Sequence, residues 1–266
     1  MLGAIDNAGG SGVKDITYSA TGAQPIASTS VTGASVTISI ATQGQTTVTF
    51  FARDNAGNAE APQTITVKLD KTPPVLGGSL TPPPNASGWN KTNVVVGFQC
   101  RDEFSGLAAG SPPADSVVSG EGANQAVSGA CRDVAGNSVL VTVNGINIDK
   151  TPPTVSCGTS PSSLWPPDHR LVTVNASVIV TDTLSGSAGF TLQSITSNEP
   201  DTGSGSGDTP NDIQGFVIGT ASTTGQLRAE RAGTGTGRIY TLTYKGVDVA
   251  GNSALCTTTV NVPHNQ

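Results

Sequence analysis

The sequence predicts an all-β protein made of tandem sandwich domains, and three observations carry that expectation. With 33 Gly and 17 Pro among 266 residues, only 12% charged and 4% aromatic, the chain holds little material for amphipathic helices. Runs rich in Thr, Ser, Val and Ala, bounded by Gly and Pro, read instead as short strands between turns. One pattern also recurs: "RDNAGNAEAPQTITVKLDKTPP" from Arg53 returns as "RDVAGNSVLVTVNGINIDKTPP" from Arg132, with the aspartates 79 residues apart at both ends. A partial third copy, "VDVAGNSALCTTTVNV", starts at Val247.

The seams are "DKTPPV" at Asp70 and "DKTPPT" at Asp149, where paired prolines hold the backbone extended and cannot continue a central strand. They divide the chain into domains over residues 1–71, 72–150 and 151–266. A second aspartate marks an earlier point in each domain: Asp6 in "AIDNAGGSGV", Asp102 in "CRDEFSGL" and Asp182 in "VTDTLSG". Each stands between a β-like run and a Ser-Gly or Gly-rich turn and is assigned to the end of strand B. The aspartate of "D-x-A-G-N" follows another β run and is assigned to the end of strand F. In a two-sheet sandwich the B–C and F–G loops meet at one pole. Only "MLGAI" precedes Asp6, so domain 1 is expected to lack strand A and most of strand B. An open sheet edge there invites a strand-pairing partner or a dimer contact.

The cysteines fit this register. Cys100 and Cys131 each lie two residues before a repeated aspartate, so the period of two puts both on the inward face of strands B and F. The equivalent pairs are Ala4 with Ala52 in domain 1, and Val180 with Gly246 in domain 3. A Cys100–Cys131 bridge is expected, and Cys157 then pairs with Cys256 by elimination; buried free thiols are the alternative. Disulfides point to an extracytoplasmic chain.

"D-x-A-G-N", then a strand and "DKTPP", resembles the tandem immunoglobulin-like repeats of bacterial surface and secreted proteins. The segments "LWPPDHRLVTVNASVIVTD" and "LRAERAGTGTGRIYTLTY" of domain 3 are similar to a longer immunoglobulin-like or hyalin-repeat-like module. The resemblance implies β-sandwiches, an extracellular or cell-surface setting and a spacer, adhesion or display role, with no single activity.

The net charge of −6, without any Lys/Arg cluster, excludes a nucleic-acid partner, and no apolar run is long enough to span a bilayer as a helix. Cations suit such a surface better. In a tandem array Asp70, Asp102 and Asp133 are expected to converge at one junction, and Asp149, Asp182 and Asp248 at the next. Three carboxylates brought together repel one another, and Ca²⁺, a hard cation that takes oxygen ligands, relieves that repulsion. The competing reading is local: Asp caps its own turn, Gly supplies a positive φ and Asn bonds nearby, with no metal.

Domain 3 also carries two insertions, "PSSLWPPDHR" ahead of strand B and "SNEPDTGSGSGDTPND" after strand C. Both are expected at the pole opposite the aspartates, with "NVPHNQ". His169 and His264, the only histidines, would then share one end with Ser204, Ser206, Asp168, Asp201 and Asp208. Three readings stay open. The insertion around Trp165 staples the strand edge; imidazoles and carboxylates bind Zn²⁺ or a similar metal; or a serine, a histidine and an acid form an esterase-type hydrolase site. Neither G-x-S-x-G nor H-E-x-x-H occurs in the chain.

Overall fold

In a computed structural model, which describes residues 1–202 and 207–265, the chain is all-β, with no α-helix among the described residues. It is composed of tandem immunoglobulin-like sandwiches. The first strands are β1 (Leu2–Gly3), β2 (Val13–Gly22), β3 (Ile26–Thr32), β4 (Ser35–Val36), β5 (Gly44–Asp54) and β6 (Gln63–Leu69). β1 pairs antiparallel with β4, and the other four form a sheet in the order β3-β2-β5-β6. Ile16 lies opposite Ala52, and Ala20 opposite Val48, so the period of two turns all four side chains to one buried face. Among the described residues β1 is the one strand ahead of Asp6.

Next come β7 (Val75–Thr81), β8 (Val94–Arg101), β9 (Ser116–Val118), β10 (Gly122–Arg132) and β11 (Ser138–Ile148). β7, β8 and β9 make one sheet, and β10 and β11 another. Val94, Val96 and Phe98 alternate inward along β8. Leu107, in the segment between β8 and β9, makes an isolated antiparallel bridge to Asp133, which follows β10.

The last strands are β12 (Thr154–Ser160), β13 (Leu171–Thr181), β14 (Ser187–Ser197), β15 (Ile213–Gln214), β16 (Thr224–Arg228), β17 (Gly237–Asp248) and β18 (Ser253–Pro263). Two sheets result, in the orders β12-β13-β16-β15 and β14-β17-β18. Val174, Leu192, Leu227, Leu242, Tyr244 and Val260 pack between them, all fully buried. Each such side chain contributes about 1.5–3 kcal/mol of hydrophobic stabilisation.

Both disulfides form: Cys100 of β8 with Cys131 of β10, and Cys157 of β12 with Cys256 of β18, at Cα–Cα separations of 6.4 and 6.0 Å. The strands that follow Asp149 fill the position of the first bridge differently. A Cβ on Gly246 would come within 2.5 Å of Val155 and 2.9 Å of Val180, so the glycine admits the valine pair where a disulfide would otherwise sit.

By packing, the chain divides into two compact units. One comprises Met1–Gly78, Phe98–Ala114 and Ser128–Thr142; the other comprises Ser79–Gly97, Asp115–Val127 and Val143–Gln266. Each aspartate cluster described below lies within a single unit.

Candidate metal centres and a buried polar cluster

The turn that ends strand F is built the same way three times. Asp133 sits at the end of β10, and its Oδ1 accepts the N–H groups of Gly136 (2.6 Å) and Asn137 (2.8 Å), while its Oδ2 accepts Asn137 Nδ2 at 2.7 Å. Asp248, the last residue of β17, takes Asn252 N–H at 2.7 Å and Asn252 Nδ2 at 2.9 Å. Asp54 does the same with Asn58, at 2.8 and 2.7 Å. The glycine before each asparagine has φ of 92, 102 or 93° at Gly57, Gly136 and Gly251, which a side chain would strain. The local turn chemistry of "D-x-A-G-N" is therefore in place in all three copies.

The aspartate at the end of strand B is wired as a cap. Asp102 Oδ1 accepts N–H groups from Phe104, Ser105 and Gly106 at 2.8–3.2 Å, and Asp182 Oδ1 accepts those of Leu184, Ser185 and Gly186 at 2.8–3.1 Å. Asp182 is held below the usual carboxylate range: partial burial works to raise it, and the N–H groups of Gly186, Leu184 and Ser185 outweigh that. Oδ2 of neither aspartate accepts a hydrogen bond among the described residues. The serines lock the two loops together, since Ser105 Oγ accepts Ala135 N–H and Ser185 Oγ accepts Ala250 N–H, both at 3.3 Å.

The seam aspartates complete each set. Asp70 accepts Thr72 N–H (3.0 Å) and Ser105 N–H (3.1 Å) on its carboxylate, and Asn137 Nδ2 (3.2 Å) on its main-chain oxygen. Hydrogen bonds from Ser105, then Thr72, hold its carboxyl below the usual range. Asp149 repeats the pattern with Thr151 (3.1 Å), Ser185 (3.1 Å) and Asn252 Nδ2 (2.9 Å). One carboxylate oxygen from each of Asp70, Asp102 and Asp133 lies within 4.8 Å of the others, and the same holds for Asp149, Asp182 and Asp248. Asp133, Asp149 and Asp248 are buried. None of the six has an ion-pair partner among the described residues, whereas buried Asp212 meets both Arg228 and Arg238.

The asparagines and serines were not singled out as site residues from the sequence. Their signal was present in the motifs, since Asn closes "D-x-A-G-N" and Ser precedes Gly in "D-E-F-S-G" and "D-T-L-S-G".

A different cluster occupies the other end of β17, the strand that Asp248 closes. Arg238, with no exposed surface, donates to Asp212 through Nη1, to Pro200 O (3.0 Å) and to Glu199 (3.3 Å). Arg228 joins Asp212 (3.0 Å), His169 O (2.9 Å) and Pro210 O (3.1 Å). Tyr240 donates its hydroxyl to Arg228 O at 2.9 Å, and burial, opposed by Arg238, pushes its pKa up to about 12. This network pins the second insertion onto the sandwich.

The candidate catalytic residues are placed around it. Asp168 is engaged by Arg170, and Asp201 accepts the N–H groups of Asn211 and Asp212. The His169 ring meets Glu230 Oε2 at 2.8 Å, an acid the sequence reading did not select. Burial, then Asp208, raises the Glu230 carboxyl above its ordinary value, and His169 opposes the shift. His264 meets Gly233 O at 3.1 Å, and Arg231 donates to His264 O at 3.1 Å, so both histidines flank the segment from residue 229 to 233. Ser204 and Ser206 lie outside the described residues. Among the described residues neither histidine belongs to a group of three potential metal ligands. The sign of Glu230 in the sequence was "RAER", three charges in four residues of a chain that is only 12% charged.

No family model matches the chain, and no curated protein matches it. Among solved structures it is similar to a bacterial ice-binding adhesin, at 12% identity and TM-score 0.40, over 94% of this chain and 88% of that one. It is similar to a protocadherin gammaB7 EC3-6 fragment at 13% identity and TM-score 0.34, over 97% and 67%. It is also similar to a tetra-tandem repeat from the extending region of a large adhesion protein, at 15% identity and TM-score 0.25, over 94% and 67%.

Proposed function

We propose that the chain is an extracellular repeat protein with a spacer, adhesion or display role, divided at the two Asp-Lys-Thr-Pro-Pro seams and stiffened by Ca²⁺ at the two aspartate clusters. The observation that carries the metal is the imbalance of charge. Each cluster gathers three carboxylates without a guanidinium or ammonium among the described residues, while buried Asp212 is paired with two arginines and buried Asp15 with one. Buried carboxylates need either a counter-charge or protonation. Oxygen-only ligand sets of high negative charge suit Ca²⁺, with water and main-chain oxygens completing its shell. The disulfides Cys100–Cys131 and Cys157–Cys256 support an oxidising, extracellular setting. Thermal unfolding of the whole chain in chelator and in millimolar Ca²⁺ tests the reading: a higher melting temperature with Ca²⁺ supports it, and superimposable curves sink it.

A second reading, a hydrolase of esterase type on domain 3, is favoured by one observation: the half-exposed His169 ring is held by the buried Glu230 carboxyl at 2.8 Å. An acid that fixes an imidazole is the orienting half of a general-base pair. Cleavage of p-nitrophenyl esters by the chain and by His169→Ala and His264→Ala decides it. Turnover lost with His169→Ala alone supports this reading; no turnover, or turnover unaffected by either change, removes it.

A further inference from the structure

The end of domain 1 that carries Asp6 and Asp54 has the same framework as the two aspartate clusters. Asn58 Nδ2 donates to Asp54 Oδ2 at 2.7 Å, as Asn137 does to Asp133 and Asn252 to Asp248. Ser11 Oγ accepts Ala56 N–H at 3.0 Å, as Ser105 accepts from Ala135 and Ser185 from Ala250. Asn55 N–H donates to Gly12 O at 3.0 Å, as Val134 does to Gly106 O and Val249 to Gly186 O, both at 2.9 Å.

In the two other copies this framework grips a peptide. The asparagine Nδ2 holds the main-chain oxygen of Asp70 or Asp149, and the serine N–H holds its carboxylate. Lys71 and Thr72 then anchor on Gln43, and Thr151 on Glu121. At the domain 1 end, Ser11 N–H and the second Asn58 Nδ2 hydrogen have no acceptor among the described residues. Asp6, Val13, Asp54, Asn58 and Glu60 line a cavity of about 200 Å³ there. The approach differs in one respect. Two additional residues separate Asp6 from its serine, and Asp6 turns its carboxylate onto Asn7 and Gly12 N–H groups.

We infer that this cavity, together with the Ser11–Gly12 loop that is hydrogen-bonded to Asn55 and Ala56 beside it, is a docking socket for a further Asp-Lys-Thr-Pro-Pro segment, supplied by a repeat outside residues 1–266. Both such segments of this chain are held in their own sockets, so a second copy of the chain does not offer a free one. The incoming aspartate gives its main-chain oxygen to Asn58 Nδ2 and its carboxylate to Ser11 N–H. The inference rests on the wiring shared with the proposed metal centres and not on their occupancy.

The test is the binding of a fluorescent peptide with the sequence of residues 66–75, TVKLDKTPPV, to the whole chain, with Ca²⁺ and separately with chelator. Saturable one-to-one binding in either buffer is expected, weakened about tenfold or more when the peptide carries Asp70→Ala, since charge-assisted hydrogen bonds are lost. Asn58→Ala in the protein, with its circular dichroism unchanged, is expected to weaken the peptide similarly. Should that variant unfold, the peptide substitution still decides. Absence of binding up to about 1 mM peptide in both buffers, equal affinity for both peptides, or self-association of the chain that excludes the peptide overturns the inference. Peptide binding beside melting curves of the chain that superimpose in Ca²⁺ and in chelator would leave the socket standing while the metal reading fell.

Discussion

Asn252 donates its side-chain amide to the main-chain oxygen of Asp149, 103 residues earlier, at 2.9 Å, and through the same nitrogen to Asp248. One short side chain thus ties the seam to the turn that ends strand F, and Asn137 does so for Asp70 and Asp133. Asn58 makes the turn bond alone.

Asn137→Ala and Asn252→Ala are expected to destabilise the protein by about 2 kcal/mol each, because a buried carboxylate and a carbonyl both lose a donor. Asn58→Ala should cost clearly less. Denaturant unfolding of the three variants checks the order.

Gly136→Ala and Gly251→Ala force a side chain onto φ values of 102 and 93°. Each is expected to destabilise by about 1–3 kcal/mol. Gly233, whose surroundings are open and whose φ is not positive, is the control: Gly233→Ala should be close to neutral in the same assay.

The two disulfides close loops of different size, with cysteines 31 and 99 residues apart. Loop entropy gives the longer one the larger effect, about 4–5 kcal/mol against about 3–4. Paired Cys→Ser variants measured by urea unfolding are expected to follow that order.

Glu230 has a carboxyl raised by burial and by Asp208. The folded state therefore holds its proton more tightly than the unfolded chain. Its contribution is fully present below the ordinary glutamate value of 4.5 and is lost as pH rises through the folded value. Stability of the native chain relative to Glu230→Gln is expected to increase as pH falls from neutral into that range. A constant difference across pH would contradict the assignment.

How much of this was legible in the sequence depended on how local the chemistry was. The aspartates could be read because each one caps a turn of four or five residues, and the turn residues repeat with it. The cysteines could be read because a strand has a period of two, which fixed Cys100 and Cys131 on one face. The Arg238–Asp212–Arg228 network could not be read, since it joins β16 and β17 to an insertion with no repeat to align against. His169 shows the same limit: its position beside a strand was foreseeable, but Glu230 reaches it across 61 residues of sequence.

The most direct test of the central claim is calorimetric titration of the chain with Ca²⁺, beside the double variant Asp102→Asn, Asp182→Asn. Asparagine keeps the Oδ1 that caps each turn and removes the charge of the carboxylate whose Oδ2 is uncapped. The account predicts two Ca²⁺ bound per chain, one for each aspartate cluster, with a matching rise in melting temperature, and loss of both in a variant that remains folded. No heat of binding and identical melting of the native chain in Ca²⁺ and chelator would contradict it.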